Sequence, residues 1–201
     1  MTLDRLSDVS ALIDAEDTEA QEHARRMMAA LGLPVTESGM ADTPRRLVRA
    51  LREFTAGMHE DPARHLRVTF PPEAEEPGII AVTAVPFVSV CEHHLLPFTG
   101  RANVAYVPAL KAPIVGLSKL ARLVRGYAAR PQVQERLGEQ VVEALCTRLD
   151  SVGAACRISA EHSCMTLRGA RAEGAQMATL HLRGVFQTDP VMRDAFLGLD
   201  R

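Results

Sequence analysis

The residue types best suited to chemistry in this 201-residue chain are two cysteines and the histidines beside them. The segment Cys91-Glu92-His93-His94 follows a run of β-branched residues and therefore stands at the end of a predicted strand. A thiol and an imidazole this close together, carried by a tight turn, can bind one metal ion. Spacing alone leaves open whether His93 or His94 is the ligand.

A second pair, His162 and Cys164, can complete this site. We expect both in one strand, where side chains two positions apart point to the same side, and Arg168 shares this parity. Two thiolates and one imidazole form a Cys₂His set, which is known for catalytic zinc with the fourth position kept for water. The remaining cysteines are poor fourth ligands, because Cys146 lies in an apolar helical stripe and Cys156 stands roughly 26 Å along the strand from Cys164.

A possible anion site precedes the third predicted helix. We expect Ser118 to cap this helix, with Lys119 and Arg122 on its first turn, an arrangement that suits a phosphate. Without other evidence, a capped helix with solvated charges is the preferred interpretation of the same residues. The segment lacks the leading glycines of a nucleotide-triphosphatase loop, which disfavours that class. Taken alone, Gln134 and Glu135 belong to an exposed helix face.

Composition argues against several classes of function. The chain has 23 basic and 25 acidic residues and a formal charge of -2, without a basic tract, which disfavours nucleic-acid binding. No apolar run approaches the roughly 18 residues of a membrane helix, and residues 1–17 do not resemble a signal peptide. Four cysteines without a secretory signal predict free thiols in a reducing compartment. We therefore expect a cytoplasmic protein that binds neither nucleic acid nor membranes.

Hydrophobic periodicity predicts the elements that must position these residues. They are helices at 18–31, 43–58, 118–127 and 133–149, strands at 79–91, 101–107, 154–168 and 176–186, and a short last helix capped by Asp189. This order predicts an α+β fold, with an antiparallel four-stranded sheet and helices on one face. Because such a sheet leaves unpaired edges, we expect a homo-oligomer that continues the sheet across subunits.

Three segments are expected along the chain. Residues 1–17 are a variable tail, residues 18–72 an N-terminal helical region, and residues 73–201 the catalytic α+β core.

Four motifs together resemble the GTP cyclohydrolase I family, and they occur in the family's order. They are Cys91-Glu92-His93-His94, Gly116-Leu117-Ser118-Lys119-Leu120, Arg130-Pro131-Gln132-Val133-Gln134-Glu135-Arg136, and His162-Ser163-Cys164 with Arg168-Gly169. With the helix at Thr43-Pro44-Arg45-Arg46, the resemblance covers residues 18–199. Where the family usually has a Ser/Thr-rich strand, this chain has residues 175–181, and we expect altered packing there.

The resemblance implies hydrolytic opening of the imidazole ring of GTP. C8 leaves as formate, and the product is 7,8-dihydroneopterin triphosphate, in the first step of tetrahydrofolate and pterin biosynthesis. It implies Zn²⁺ as cofactor, because a bound metal makes water nucleophilic at neutral pH. The implied metal ligands are Cys91, His94 and Cys164. His93 and His162 then correspond to the proton-transfer groups.

The resemblance also implies how the substrate is bound. Glu135 corresponds to the carboxylate that holds guanine, since its two acceptor oxygens match two N–H donors on the base edge, and Gln134 and the adjacent backbone complete that pocket. Ser118 corresponds to the serine of the later rearrangement. The implied triphosphate binders are Lys119, Arg122 and Arg168, with Arg46 supplied by a neighbouring subunit.

The family's architecture is the tunnelling fold, in which the sheets of several subunits join into an oligomeric barrel. Its members are commonly decamers with active sites between subunits. We therefore expect GTP as the small-molecule partner and a decamer as the assembly.

Three other interpretations stay open. A zinc nucleobase deaminase uses related chemistry, but its His-x-Glu and Pro-Cys-x-x-Cys pattern is absent. A non-catalytic oligomeric module that binds zinc and purine nucleotides would be expected to lack acid-base groups, whereas His93, His162 and Ser118 are all present. A paralogue could act on GTP for deazapurine synthesis.

Overall fold

The structure, a computed structural model, describes residues 18–199. Its contacts divide the chain into two compact units, of which the first ends at Glu53 and the second begins at Phe54. The expected boundary after residue 72 differs from this division and stays a prediction, and the expected tail at 1–17 lies outside the described residues. Among residues 18–199, no helix has both the length and the apolar character needed to cross a bilayer.

The first unit is helical, as its periodicity predicts. Helix α1 occupies residues 18–30 and ends in a left-handed glycine, Gly32, with φ +78°. The amide of Gly32 donates to the carbonyl of Ala29 and the amide of Leu33 to that of Met28, which together satisfy the last carbonyls of the helix. Helix α2 is Thr43–Phe54, with Pro44 in its first turn.

The second unit is built on a five-stranded mixed sheet with the order β5-β2-β3-β6-β7. The four long strands are antiparallel neighbours, but β5 pairs in parallel with the end of β2, so the expected four-stranded, wholly antiparallel sheet is wrong. Strand β5 has two residues and starts with a proline, too short a segment for periodicity to detect. The five strands are β2 Ile80–Cys91, β3 Pro97–Pro108, β5 Pro131–Gln132, β6 Ser151–His162 and β7 Met177–Gly184.

Short elements connect the helical segment to this sheet. Two 3₁₀ helices, Ala56–His59 and Pro62–Arg67, precede a separate two-stranded ladder of β1, Thr69–Phe70, and β4, Ile114–Val115.

Helices cover both faces of the sheet. On one face, α3 (Leu117–Ala128) and α4 (Gln134–Arg148) enclose the larger core, which contains Tyr106 and Ala154. On the other face, α6 (Val185–Thr188) and α7 (Pro190–Leu197) enclose a smaller core around Ala155. Since neighbouring residues of a strand point to opposite faces, Ala154 and Ala155 belong to different cores. The prediction placed the helices on one face of the sheet. Helices α3 and α4 agree with it, whereas α6 and α7 lie on the opposite face.

Two local expectations also need correction. Strand β6 ends at His162, and a helical turn, α5 (Ser163–Thr166), replaces the rest of the predicted strand. Helix α3 begins at Leu117 with Gly116 as its N-cap, so Ser118 lies inside the first turn and does not cap it. The last helix is as expected, because the carboxylate of Asp189 accepts a hydrogen bond from the amide of Val191 at 2.8 Å.

We expect Gly138→Ala to destabilise the protein, although alanine normally stabilises a helix by about 0.5–1 kcal/mol relative to glycine. A Cβ at Gly138 on α4 would lie 2.3 Å from Cδ2 of His181 and 2.7 Å from its Nε2. Overpacking of this kind costs about 1–3 kcal/mol. Denaturant unfolding measures the change in free energy. Without the His181 ring, in a His181→Ala background, Gly138→Ala should lower the free energy of unfolding by less than it does in the wild-type protein. A Gly138→Ala variant more stable than the wild-type protein would contradict the clash.

Candidate active site

The turn between β2 and β3 carries two of the candidate metal ligands, the sulfur of Cys91 and an imidazole nitrogen. The amides of His94 and Leu95 donate to the carbonyl of Cys91 at 3.3 and 2.8 Å, and Leu95 takes a left-handed conformation with φ +53°. This tight turn places Nδ1 of His94 3.9 Å and Nδ1 of His93 3.7 Å from Sγ of Cys91. The end of a strand followed by a closed turn thus brings both imidazoles to one thiol.

The third candidate ligand, Cys164, comes from the segment that follows β6. His162, the last residue of β6, pairs with Phe98 of β3, so the helical turn α5 begins beside the β2–β3 turn. The ligand atoms of Cys91, His94 and Cys164 all lie within 4.8 Å of one another. Cys164 therefore joins the group through a helical turn and not through strand parity. Of the two adjacent histidines, this candidate metal-binding group of Cys91, His94 and Cys164, here called the metal group, contains His94.

The chemistry of this group fits a zinc ion. Cys91 is buried, and Cys164 is partly buried. Burial, together with the neighbouring Cys91 thiol, raises the pKa of Cys164. A divalent cation would offset the cost of holding two thiolates together, and two sulfurs with one imidazole form a soft donor set that suits zinc.

A cavity of about 570 Å³ opens beside the three ligands. This volume is within the usual range for small-molecule sites. Its walls come from the β2–β3 turn, the start of α4, the end of β6 with α5, and the segment before β7. The lining residues are Cys91, His93, His94, Gln132, Val133, Gln134, Glu135, His162, Cys164, Met165, Ala175, Gln176 and Met177.

The imidazole of His162 is held by a stacked ring and by a hydrogen bond. Its ring stacks on Phe98 with a centroid distance of 4.3 Å and an interplanar angle of 6°, and its Nε2 lies 2.9 Å from Oε1 of Gln134. Burial lowers the pKa of His162, and the nearby carboxylate of Glu135 opposes part of that effect. Glu135 itself is exposed on the first turn of α4 and lines the cavity.

An ion pair joins the β2–β3 turn, which carries candidate metal ligands, to the start of α4. Arg136 donates two hydrogen bonds to the carboxylate of Glu92, at 2.6 and 3.0 Å, and this contact lowers the pKa of Glu92. The sequence motifs contain both residues, but sequence reasoning assigned a role to neither. A sequence signal for this pair existed, because Glu92 follows the predicted ligand Cys91, Arg136 follows Glu135, and the two side chains carry opposite charges. The pair links the β2–β3 turn to the turn of α4 that carries Glu135, the predicted guanine-binding residue.

Of the predicted triphosphate binders, Arg168 lies next to the metal group. Its Nη1 is 3.4 Å from Nε2 of His94. Arg46 belongs to the first unit, where it lies on α2 with Nη2 3.6 Å from the carboxylate of Asp42.

The residues at the start of α3 form a separate positive region. Ser118, Lys119 and Arg122 do not line the cavity described above. Burial lowers the pKa of His65 on the second 3₁₀ helix, and the charges of Arg64, Arg122 and Lys119 lower it further. The structure of one chain thus brings together the predicted ligands, His93, His162, Gln134 and Glu135, but not the predicted α3 residues.

Known proteins resemble this chain over nearly its whole length. A family profile described as GTP cyclohydrolase I matches residues 20–201. A protein named GTP cyclohydrolase 1 from Carboxydothermus hydrogenoformans is 42% identical over 188 residues, which cover 94% of this chain and 95% of the relative. The protein of the same name from Rhodopirellula baltica is 46% identical over 175 residues, covering 87% of this chain and 75% of the relative. The crystal structure of the archaeosine synthase QueF-Like in the apo form matches with a TM-score of 0.44 and 14% identity over 54% of this chain and 95% of that one.

We expect Cys164→Ala to lose bound metal, because it removes one of three ligands. Protein purified anaerobically with zinc should contain about one metal ion per chain, and the variant far less. Metal analysis by mass spectrometry measures the ratio. Cys146→Ala is the matched control, since Cys146 is a free, partly buried cysteine on α4 outside the metal group. Full metal content in folded Cys164→Ala would contradict the assigned site.

Proposed function

This chain belongs to the GTP cyclohydrolase I family, hydrolases that act on cyclic amidine C–N bonds, and we propose that it converts GTP to 7,8-dihydroneopterin triphosphate and formate with the help of zinc. The observation that carries this proposal is the convergence of Cys91, His94 and Cys164 at the wall of a cavity that also contains His162 and Glu135. The product would enter tetrahydrofolate and pterin synthesis.

Each part of the cavity supports one part of this reaction. A zinc ion bound by the three ligands would supply the Lewis acidity that makes water nucleophilic at neutral pH. His93 and His162 border the same space and are suited to move protons to and from the purine ring. Because burial favours neutral His162, this imidazole is available to accept a proton near neutral pH.

Recognition of the base is the task we assign to Glu135. Its carboxylate is exposed, lines the cavity and offers two acceptor oxygens to the parallel N–H donors of guanine. The Glu92–Arg136 ion pair next to it holds the first turn of α4 against the ligand turn. Guanine bound there would share the cavity with the metal group. Arg168, beside His94, is placed to meet a phosphate of the same substrate.

We assign the rest of the triphosphate site to a neighbouring subunit of a homo-oligomeric barrel, as a decamer. The support is that Lys119 and Arg122 lie in a positive region outside the cavity of their own chain, together with Ser118. Among the described strands, β7 stands at an edge of the sheet, where backbone groups on its outer side can pair with another subunit. Arg46 on α2 would contribute in the same way. A cytoplasmic location suits the free thiols of Cys91 and Cys164.

The direct test incubates zinc-loaded protein anaerobically with GTP. We expect stoichiometric formate and a pterin product that becomes fluorescent after oxidation. Release of ammonia in place of formate would identify a deaminase instead. Tight binding of GTP without turnover would identify a non-catalytic nucleotide-binding module.

Base recognition can be tested in the same assay with Glu135→Gln. This variant replaces one acceptor oxygen by a donor, so we expect KM for GTP to rise by about 10-fold or more. Glu139→Gln, one turn further along α4 and paired with Arg183, is the matched control and should leave KM within about two-fold. An unchanged KM in Glu135→Gln would remove Glu135 from the guanine site.

Sharing of the site between subunits predicts complementation. Cys164→Ala and Arg122→Ala should each be nearly inactive alone. If each site combines the metal group of one chain with α3 of another, mixed oligomers reassembled from equal amounts should regain about a quarter of wild-type activity. Recovery is measured after joint unfolding and refolding, with each variant refolded alone as control. Mixtures without recovery, despite verified subunit exchange, would place both groups in the same chain.

A further inference from the structure

We propose that Gln134 is a positioning residue that holds neutral His162 in its Nε2–H tautomer, which leaves Nδ1 as the ring nitrogen that meets the substrate. This inference rests on the proposed function of the cavity and deepens it. Gln134 is completely buried, and both the nitrogen and the oxygen of its side-chain amide make hydrogen bonds to other residues.

The orientation of the Gln134 amide is determined by the main chain. Its Nε2 donates to the carbonyl oxygens of Ile158 on β6 and Met177 on β7, at 3.2 and 3.0 Å, and contacts Oγ1 of Thr179 at 3.3 Å. Carbonyl oxygens only accept hydrogen bonds. The flipped amide would place Oε1 against both carbonyls, so only the observed orientation satisfies them.

The fixed amide in turn determines where the proton of His162 lies. Oε1 of Gln134 stands 2.9 Å from Nε2 of His162. An amide oxygen can only accept, and therefore Nε2 must carry the hydrogen. Neutral imidazole has one N–H, so Nδ1 of neutral His162 bears a free lone pair.

The plane of the ring is determined independently. Phe98 is buried, pairs with His162 across β3 and β6, and stacks on the imidazole at 4.3 Å with an angle of 6°. Rotation of the ring by half a turn about its bond to Cβ would keep this stacking but lose the hydrogen bond to Gln134. With Nε2 bound and one face covered, Nδ1 is the polar ring atom left for a ligand in the cavity that His162 lines.

These contacts distinguish an indirect role of Gln134 from direct contact with guanine. Both amide hydrogens and the amide oxygen already have protein partners, so substrate recognition falls to exposed Glu135. A residue that acts through His162 affects turnover, whereas a residue that binds the base affects substrate affinity.

The tautomer can be measured without any reaction. Zinc-loaded wild-type protein with ¹⁵N-labelled histidine is examined without GTP by solid-state NMR above the pKa of His162, with His162→Ala to assign its signals. We expect a protonated-type shift at Nε2 and an unprotonated-type shift at Nδ1. The reverse pattern, or rapid exchange between both tautomers, would overturn the proposal. Because GTP is absent, this result is independent of whether the protein is a cyclohydrolase.

Steady-state kinetics test the positioning role. Gln134→Met keeps the size of the side chain but removes the acceptor, and we expect kcat to fall about 10- to 100-fold with KM for GTP changed less than about 3-fold and zinc content unchanged. Gln140→Met, on the same helix, is the control, because its Oε1 accepts from Gln132 and not from His162. A raised KM with unchanged kcat would show direct contact with the base and overturn the proposal. If Gln134→Met does not fold, the wild-type spectrum still decides.

Discussion

The pairing of β3 with β6 is the constraint on which the site depends. It runs without interruption from Phe98–His162 through Val107–Gly153, and it brings the β2–β3 turn beside α5. A slip of one residue would turn every side chain of β6 to the opposite face of the sheet. Cys164 would then leave Cys91 and His94, and His162 would lose its stacking on Phe98. The metal group is thus a product of sheet register more than of either short motif.

The first turn of α4 is the second fixed point, and it is held from two sides. Gln134 ties it to main-chain carbonyls of β6 and β7, while Arg136 ties it to Glu92 in the ligand turn. Glu135 stands between these two anchors with its carboxylate free for the cavity. The buried amide of Gln134 and the bidentate Arg136–Glu92 ion pair limit the motion of exposed Glu135 between them. Recognition of a planar base requires this kind of preorganisation.

The sequence supports prediction where the signal is local or strongly periodic. The four long strands, the end of α1 at Gly32 and the Asp189 cap follow from such signals and are confirmed. Strand β5 was missed because two residues carry no period. Residues 163–166 form a helical turn partly because Ser163 donates to the carbonyl of Pro97, a contact 66 residues away that no local pattern reveals. Cys164 therefore lies beside Cys91 and His94 by way of a helical turn and not by strand parity, and its role as a metal ligand stays a prediction that rests on the Cys₂His chemistry.

The separation of Lys119 and Arg122 from their own chain's cavity has a physical rationale under the proposed assembly. The ligand group and the acid-base residues need ångström-scale placement, which one rigid sheet provides, whereas a flexible triphosphate needs positive charge over a larger surface. Burial lowers the pKa of His65, and the nearby charges of Arg64, Arg122 and Lys119 lower it further. The same cations beside His93 and His162 would also disfavour the protonated forms that proton transfer requires. In the proposed assembly, in which a neighbouring subunit supplies these cations, the phosphates of the substrate would lie between the two groups and screen one from the other. Substrate binding and subunit association then stabilise each other, because the anion bridges two chains that each hold half of its site.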